Sequence, residues 1–381
     1  MRFFRHVLQA KFISRPNRFL VRCQLGNQRV SAFLSNPGRL QELLLPGSTV
    51  HLVKGREDGE RKTLYTVVAV EREDLPIMLH THRSNDVARY LIERGKIPGL
   101  ERARIVKAEV QVGRSRFDFL LEEDRQRIFL EVKSCTLVGN KVAMFPDAVT
   151  ERGARHLREL ADLSRNGTRT AVLFVVHWPF AQVFMPDYHT DLNFARTLQD
   201  VRHDVAVIPL AVRWHRDLSL APLTRLLDIP WSYIEQEAKD RGSYLLLLRL
   251  EDRMTIQVGS LGQREFKKGF YVYVGSAMAN LSQRMERHRH LRKKHHWHID
   301  ELRALTEFRS ALAIRSATRL ECQIAQAFSK MADESIRGFG CSDCKCGTHL
   351  FRMKTDPLQS AAFHKLLQYF RMDRYEEVGH L

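Results

Sequence analysis

The chain has 381 residues, 44% hydrophobic and 28% charged, and its 61 Lys and Arg against 44 Asp and Glu leave a formal net charge of +17. That length exceeds one ordinary domain and predicts two or three; the charge favours a polyanionic partner, foremost nucleic acid, although a basic surface that serves only solubility gives the same balance. No run approaches the ~18 apolar residues of a membrane span, no signal-peptide core follows Met1, and six cysteines are not a disulfide framework at this length, so a cytoplasmic location without a membrane partner is expected.

Residues 1 to about 80 read as short strands broken by Gly and Pro turns, at Phe19–Leu25, Val30–Leu34, Thr49–Val53 and Tyr65–Val70. Such a density of short strands predicts a small barrel. Asn36-Pro-Gly-Arg39 has the composition of a turn, and Arg39, Arg61 and Lys62 are the cations expected to face phosphate; ordinary exposed loop cations are the competing reading. From about 81 to 215 the pattern is mixed: a helix around Asp86–Gly95, a hairpin, a helix near Arg152–Leu163, and the apolar strands Ala171–Val176 and Val205–Pro209. Fully apolar runs belong to buried central strands, so an α/β layer is expected.

The hairpin carries the chemistry. Phe117–Leu121 and Ile128–Lys133 alternate, with Glu122–Arg127 as the turn. Pairing Leu121 with Ile128 sets Phe119 against Leu130, Phe117 against Val132, Asp118 against Glu131 and Arg116 against Lys133. Two adjacent carboxylates repel unless a cation intervenes, and Mg2+ or Mn2+ takes such oxygen ligands while keeping waters. Lys133 lies on the same face, where it can orient a water or meet phosphate charge. The arrangement suits metal-assisted phosphodiester hydrolysis; solvated ion pairs on a surface hairpin are the bland alternative. Arg116 is placed against nucleic acid.

Residues 216–240 read as a linker with one short helix. The chain restarts with the strand Ser243–Leu250, and a terminal helix is expected near Leu358–Tyr369. Arg284–His298 is the densest basic stretch, with Trp297 near its end; Arg287, His288, Arg292, Lys293 and Lys294 in it are expected to track phosphate. Cys341, Cys344, Cys346 and His349 have donor types that suit Zn2+, but fall within nine residues, and a thiol-rich turn packed beside His296 or His298 is the competing reading.

The blocks Asn36–Gly47, Arg61–Tyr65, Gly113–Leu121, Leu130–Ser134 and Phe145–Leu157, in that order, resemble the sugar fermentation stimulation protein (SfsA) family over roughly the first 215 residues. The resemblance implies an OB-like barrel followed by a PD-(D/E)XK-type nuclease domain with Asp118, Glu131 and Lys133 as its core; Glu93 is a candidate accessory acid. The C-terminal third, with Gly242-Ser-Tyr244, Tyr271-Val-Tyr273-Val-Gly275, Arg284, His288 and Glu321, resembles the GIY-YIG nuclease superfamily. That likeness implies Tyr244, Tyr273 and Arg284 at a scissile phosphate and a divalent ion on Glu321, although Ser243 and Val274 replace the two isoleucines of the motif.

The expected architecture is an OB-like small β-barrel (1–80), a PD-(D/E)XK mixed-sheet α/β domain (81–215), a linker (216–240), a small α+β GIY-YIG-like domain (241–355) and a C-terminal helix and tail (356–381). The expected function is a divalent-metal-dependent nuclease acting on DNA or RNA. The alternative is a non-catalytic DNA-binding regulator of sugar utilisation.

Overall fold

The computed structural model describes residues 1–55, 63–113, 115–291 and 297–377. Arg61, Lys62, Arg292, Lys293 and Lys294, assigned above to phosphate contact, lie outside the described residues. The chain forms two compact units, Met1–Asp187 with Asn193–Trp231, and Tyr188–Leu192 with Ser232–Leu381.

In the first unit, β1 (Leu8–Asn17), β2 (Leu20–Leu25), β3 (Gln28–Leu34), β4 (Thr49–Lys54) and β5 (Tyr65–Arg72) run in the order β3-β2-β1-β4-β5. β3 then pairs in parallel with β5, Ala32–Leu34 against Tyr65–Val67. That pairing closes a five-stranded OB-like barrel and leaves no free edge between those strands. β6 (Leu75–Met78) extends β5. Alternate residues such as Val21, Cys23, Ala32 and Leu34 fill the interior.

A helix, α1 (Arg83–Ile92), leads into the mixed sheet. Its strands are β7 (Arg104–Val112), β8 (Ser115–Glu123) and β9 (Gln126–Cys135). After a small sheet of β10 (Leu137–Val138) and β11 (Val142–Phe145) come α2 (Glu151–Arg165) and β12 (Arg169–Val176). β13 (Val183–Pro186) joins the small sheet, and α3 (Leu192–Asp200), β14 (Ala206–Trp214) and β15 (Leu220–Leu226) complete the layer. The six-stranded order is β15-β14-β12-β9-β8-β7, with β9, β12 and β14 parallel and the outer strands antiparallel.

Both faces of this sheet are buried at its central strands, as the apolar run Ala171–Val176 of β12 requires. Val172 and Phe174 pack with Leu157 and Leu160 of α2 in a core that also contains Val21 and Leu40 of the barrel region. Leu173 packs on the other face with Val87 and Leu91 of α1. Barrel and sheet therefore share one core. Residues 220–226, read as linker, form the edge strand β15; Pro222 falls at its register irregularity, and edge strands tolerate a residue without an N–H. The edge strand β7 escapes a sequence reading because no residue in it is fully buried.

After α4 (Trp231–Glu237), the second unit contains β16 (Gly242–Leu250), the hairpin β17 (Met254–Gln257) and β18 (Gln263–Phe266), and β19 (Gly269–Ala277). It continues through α5 (Leu281–Arg287), α6 (His298–Ala304), β20 (Glu307–Arg315), α7 (Glu321–Ser329), β21 (Glu334–Ser335), β22 (Leu350–Met353) and α8 (Ala361–Gln368). The main sheet is antiparallel, in the order β20-β16-β19-β22-β21. Tyr244, Leu246 and Leu248 face one core, with Leu281 and Ile299. Leu245 and Leu247 face the other, with Ile324, Phe328 and Phe363. This is an α+β fold. Among the described residues no helix is long and apolar enough to cross a membrane.

Candidate active site

β8 and β9 pair in the expected register from Glu123 opposite Gln126 to Phe119 opposite Leu130. The expected continuation, with Asp118 opposite Glu131 and Phe117 opposite Val132, is not made. Instead the Val132 N–H donates to Asp118 Oδ2 at 2.7 Å. Like charges directly opposed destabilise a ladder; opening it gives Asp118 a backbone donor. The strand twists here as well. Phe117 packs 5.8 Å from the rings of Phe129 and His156 on the α2 side, whereas Phe119 packs on the α1 side, 5.5 Å from the Arg89 guanidinium. Phe117 does not share a face with Phe119 and Leu121.

Asp118, Glu131 and Lys133 meet in this fork. Asp118 Oδ1 accepts from Asn85 Nδ2 at 2.7 Å. Glu131 Oε1 accepts from His156 Nδ1 at 2.7 Å and from the Lys133 ammonium. Arg152 Nε donates to the other imidazole nitrogen at 3.3 Å, which fixes the ring with its proton toward Glu131. Among the described residues Glu131 Oε2 is buried without a hydrogen-bond partner, a position that calls for a physical explanation.

The two carboxyls are driven apart. Burial, reinforced by the neighbouring Glu131, pushes Asp118 above the usual carboxylate range. Burial also penalises ionised Glu131, but the His156 hydrogen bond and the Lys133 charge outweigh it and hold that carboxyl below its ordinary value. At neutral pH the fork therefore keeps one firmly ionised acid beside one that protonates more readily.

The other expected contacts differ in placement. Arg116 is exposed on β8, 3.7 Å from Glu109. Arg39 is exposed in the Asn36–Arg39 turn, which lies against a half-buried acid: Asp147 Oδ2 accepts from the Leu40 N–H at 3.1 Å. Gly38 is required there, since a Cβ would lie 2.4 Å from Asp147 Oδ1. Glu93, the expected accessory acid, is exposed at the end of α1. The residue of α1 that reaches the fork is Asn85.

In the second unit, Tyr244 and Tyr273 form an edge-to-face pair with ring centroids 6.3 Å apart. Burial, reinforced by nearby negative groups, raises both phenols well above the usual value, while Arg284 pulls each in the opposite direction. Both stay protonated at neutral pH. Arg284 and Arg287 lie 4.1 and 4.4 Å from the Trp297 ring, and Arg287 forms a fork with the buried Asp300 at 3.0 and 2.9 Å. His288 is fully buried and bonded to Tyr244 Oη at 2.8 Å. That corrects its expected place on a phosphate-tracking surface, because a fully buried ring has no face to offer. Glu321 accepts from His349 Nδ1 at 3.1 Å through Oε1 and from the Ser276 hydroxyl through Oε2.

The thiols also differ from expectation. The donor atoms of Cys322, Cys344, Cys346 and His349 lie within 4.8 Å of one another; Cys341 is outside this group and Cys322 of α7 takes its place.

Comparison with known proteins agrees with this architecture. Family models match residues 13–79 as the SfsA N-terminal OB domain, 82–217 as the sugar fermentation stimulation protein RE domain, and 243–372 as the domain of unknown function DUF123. The sugar fermentation stimulation protein homolog of Methanothermobacter thermautotrophicus is 39% identical over 226 residues, 54% of this chain and 94% of the relative. The chain belongs to the SfsA family. The Chloroflexus aurantiacus homolog is 41% identical over 196 residues, 51% of this chain and 75% of the relative. A solved structure, Pyrococcus furiosus SfsA in complex with Ca2+, superposes with a TM-score of 0.56 at 28% identity, over 60% of this chain and 97% of that one.

In this SfsA protein, sequence reasoning finds the three residues of the fork but not their supports. His156 lies inside a block quoted for the resemblance, yet nothing in its spacing from Glu131 marks the contact; Asn85 carries no signal at all. Ser134 has a similar hidden partner, His177 Nε2 at 3.1 Å, whose Nδ1 accepts from Trp214 Nε1 at 3.1 Å.

Proposed function

We propose that this SfsA protein is a divalent-metal-dependent nuclease that hydrolyses phosphodiester bonds at the Asp118–Glu131–Lys133 fork. The buried Oε2 of Glu131, unpartnered among the described residues and beside the Asp118 carboxylate, carries the reading. An oxygen donor set of this kind fits Mg2+ or Mn2+, and the Ca2+ complex of the Pyrococcus furiosus relative supports a hard dication here. Asp118 and Glu131 would hold the ion. When bound, such an ion polarises a phosphoryl oxygen and lowers the pKa of its water.

The remaining roles belong to the chain. His156 and Asn85 hold the two carboxylates in place, leaving Glu131 Oε2 free of donors among the described residues. Lys133 supplies an ammonium that can donate to the attacking water or to a non-bridging phosphate oxygen, where charge grows in the transition state. The barrel, Arg39, Arg116 and the net charge of +17 bind the polyanion, with Arg284 and Trp297 of the second unit as a further phosphate and base contact.

The test is cleavage of matched single- and double-stranded DNA and RNA in EDTA, Mg2+ and Mn2+. Products are expected only with metal, and Lys133→Ala should slow their formation by on the order of 10²–10³-fold while retaining salt-sensitive binding. Metal-dependent products at an unchanged rate in Lys133→Ala would remove the fork as the active site. Binding without products under every condition would leave the non-catalytic regulator.

A further inference from the structure

Away from the fork, the second unit assembles four soft-metal donors from two separate parts of the chain. Cys322 sits in the first turn of α7, while Cys344, Cys346 and His349 come from the loop that enters β22. Their three Sγ atoms and one imidazole nitrogen lie within 4.8 Å of one another. Tetrahedral Zn2+, with Zn–S about 2.3 Å and Zn–N about 2.0–2.1 Å, sets its donors roughly 3.5–3.8 Å apart. The observed donors are within a small inward shift of that arrangement.

The histidine is oriented for the task. His349 is buried, and Cys344 Sγ is 3.5 Å from its Nε2. Its opposite nitrogen, Nδ1, faces Glu321 Oε1 at 3.1 Å. A carboxylate on the far side of a ligating imidazole fixes the tautomer and raises ligand basicity. Glu321 is itself held by Ser276, and the backbone of His349 is fixed by bonds to Phe339 and Val274 at 2.8 and 2.9 Å.

We propose that Cys322, Cys344, Cys346 and His349 bind one Zn2+ in a closed Cys3His site, with Glu321 as the positioning residue for His349. Four protein ligands leave no coordination position for a substrate, so the ion is structural. It ties the start of α7 to the 344–349 loop, segments that no described strand pairing joins. It also gives Glu321 a role other than ligating a hard divalent ion.

The experiment uses the full chain. Protein purified without chelator is expected to carry one equivalent of zinc by atomic emission. Zinc should persist in Asp118→Ala and Cys341→Ser and be lost in Cys322→Ser and Cys346→Ser. Replacement by Co2+ should produce the cobalt–thiolate absorption of a tetrahedral site, and Glu321→Ala should weaken zinc binding by roughly 10–100-fold in competition with a chelator. Reduced wild-type protein that holds no zinc and develops no cobalt–thiolate absorption would overturn the proposal. So would zinc that is lost in Cys341→Ser but kept in Cys322→Ser. Neither readout depends on nuclease activity, so the proposal stands or falls apart from the fork.

Discussion

At the scale of single residues, Glu131 is governed by what touches it. His156 holds Oε1 while Oε2 has no donor among the described residues, so removing His156 should loosen the carboxylate without removing a ligand. His156→Ala is expected to weaken divalent-ion binding by roughly 10–100-fold, measured by Mn2+ titration calorimetry. Affinity equal to wild type would mean that the imidazole does not position Glu131. Gly275 is a second case. A Cβ there would lie 2.5 Å from Tyr244 Cζ and 2.6 Å from its hydroxyl, so the glycine of the Tyr-Val-Gly motif is required by the aromatic ring across β16 and β19. Gly275→Ala should cost about 1–3 kcal/mol in denaturant unfolding. The penalty should shrink in a Tyr244→Leu background; an undiminished penalty would locate the strain elsewhere.

At the scale of elements, the fork depends on three pieces meeting at one point: the β8–β9 pair where its ladder opens, α1 with Asn85, and α2 with His156. α2 begins at Thr150, whose hydroxyl accepts from the Gly153 N–H at 3.0 Å, and its first turns carry Arg152 and His156. Thr150→Ala should cost about 1 kcal/mol in stability through the lost cap. Because the same turns aim His156 at Glu131, it should also lower Mn2+ affinity. Stability lost with Mn2+ affinity intact would show that the cap and the imidazole are independent. The alternation of Phe119–Leu121 against Ile128–Leu130 made the hairpin and its register legible. The opening of the ladder at Asp118 was not, because a side chain replacing a backbone partner leaves no trace in a period-two pattern.

At the scale of the whole molecule, buried histidines link folding to pH. Burial lowers His177 to about 3 and depresses His189 well below its usual value. The folded state refuses a proton that the unfolded chain accepts below about pH 6.5. Stability is therefore fully present above that pH and declines as pH falls toward 3; for His177 alone the loss is about 3 kcal/mol by pH 4. His177→Gln keeps a donor and an acceptor for Ser134 and Trp214 and should flatten the acid limb of stability measured by urea unfolding. An acid limb as steep as wild type would remove His177 as a source.

The sequence by itself determined the things that local pattern encodes. Short alternating strands announced the barrel, the fully apolar run Ala171–Val176 announced a buried central strand, and Asp118, Glu131 and Lys133 shared a hairpin by spacing alone. Tertiary structure decided what distance along the chain conceals. Asn85 lies 33 residues from Asp118, His156 lies 25 from Glu131, and Glu321 lies 28 from His349. Cys322 is likewise remote from the thiols it joins, and only the packing of α7 against the sheet brings it to them. Periodicity reports which face a residue occupies; it carries no information about which other face is pressed against it, and the supports of both candidate sites arise from that second choice.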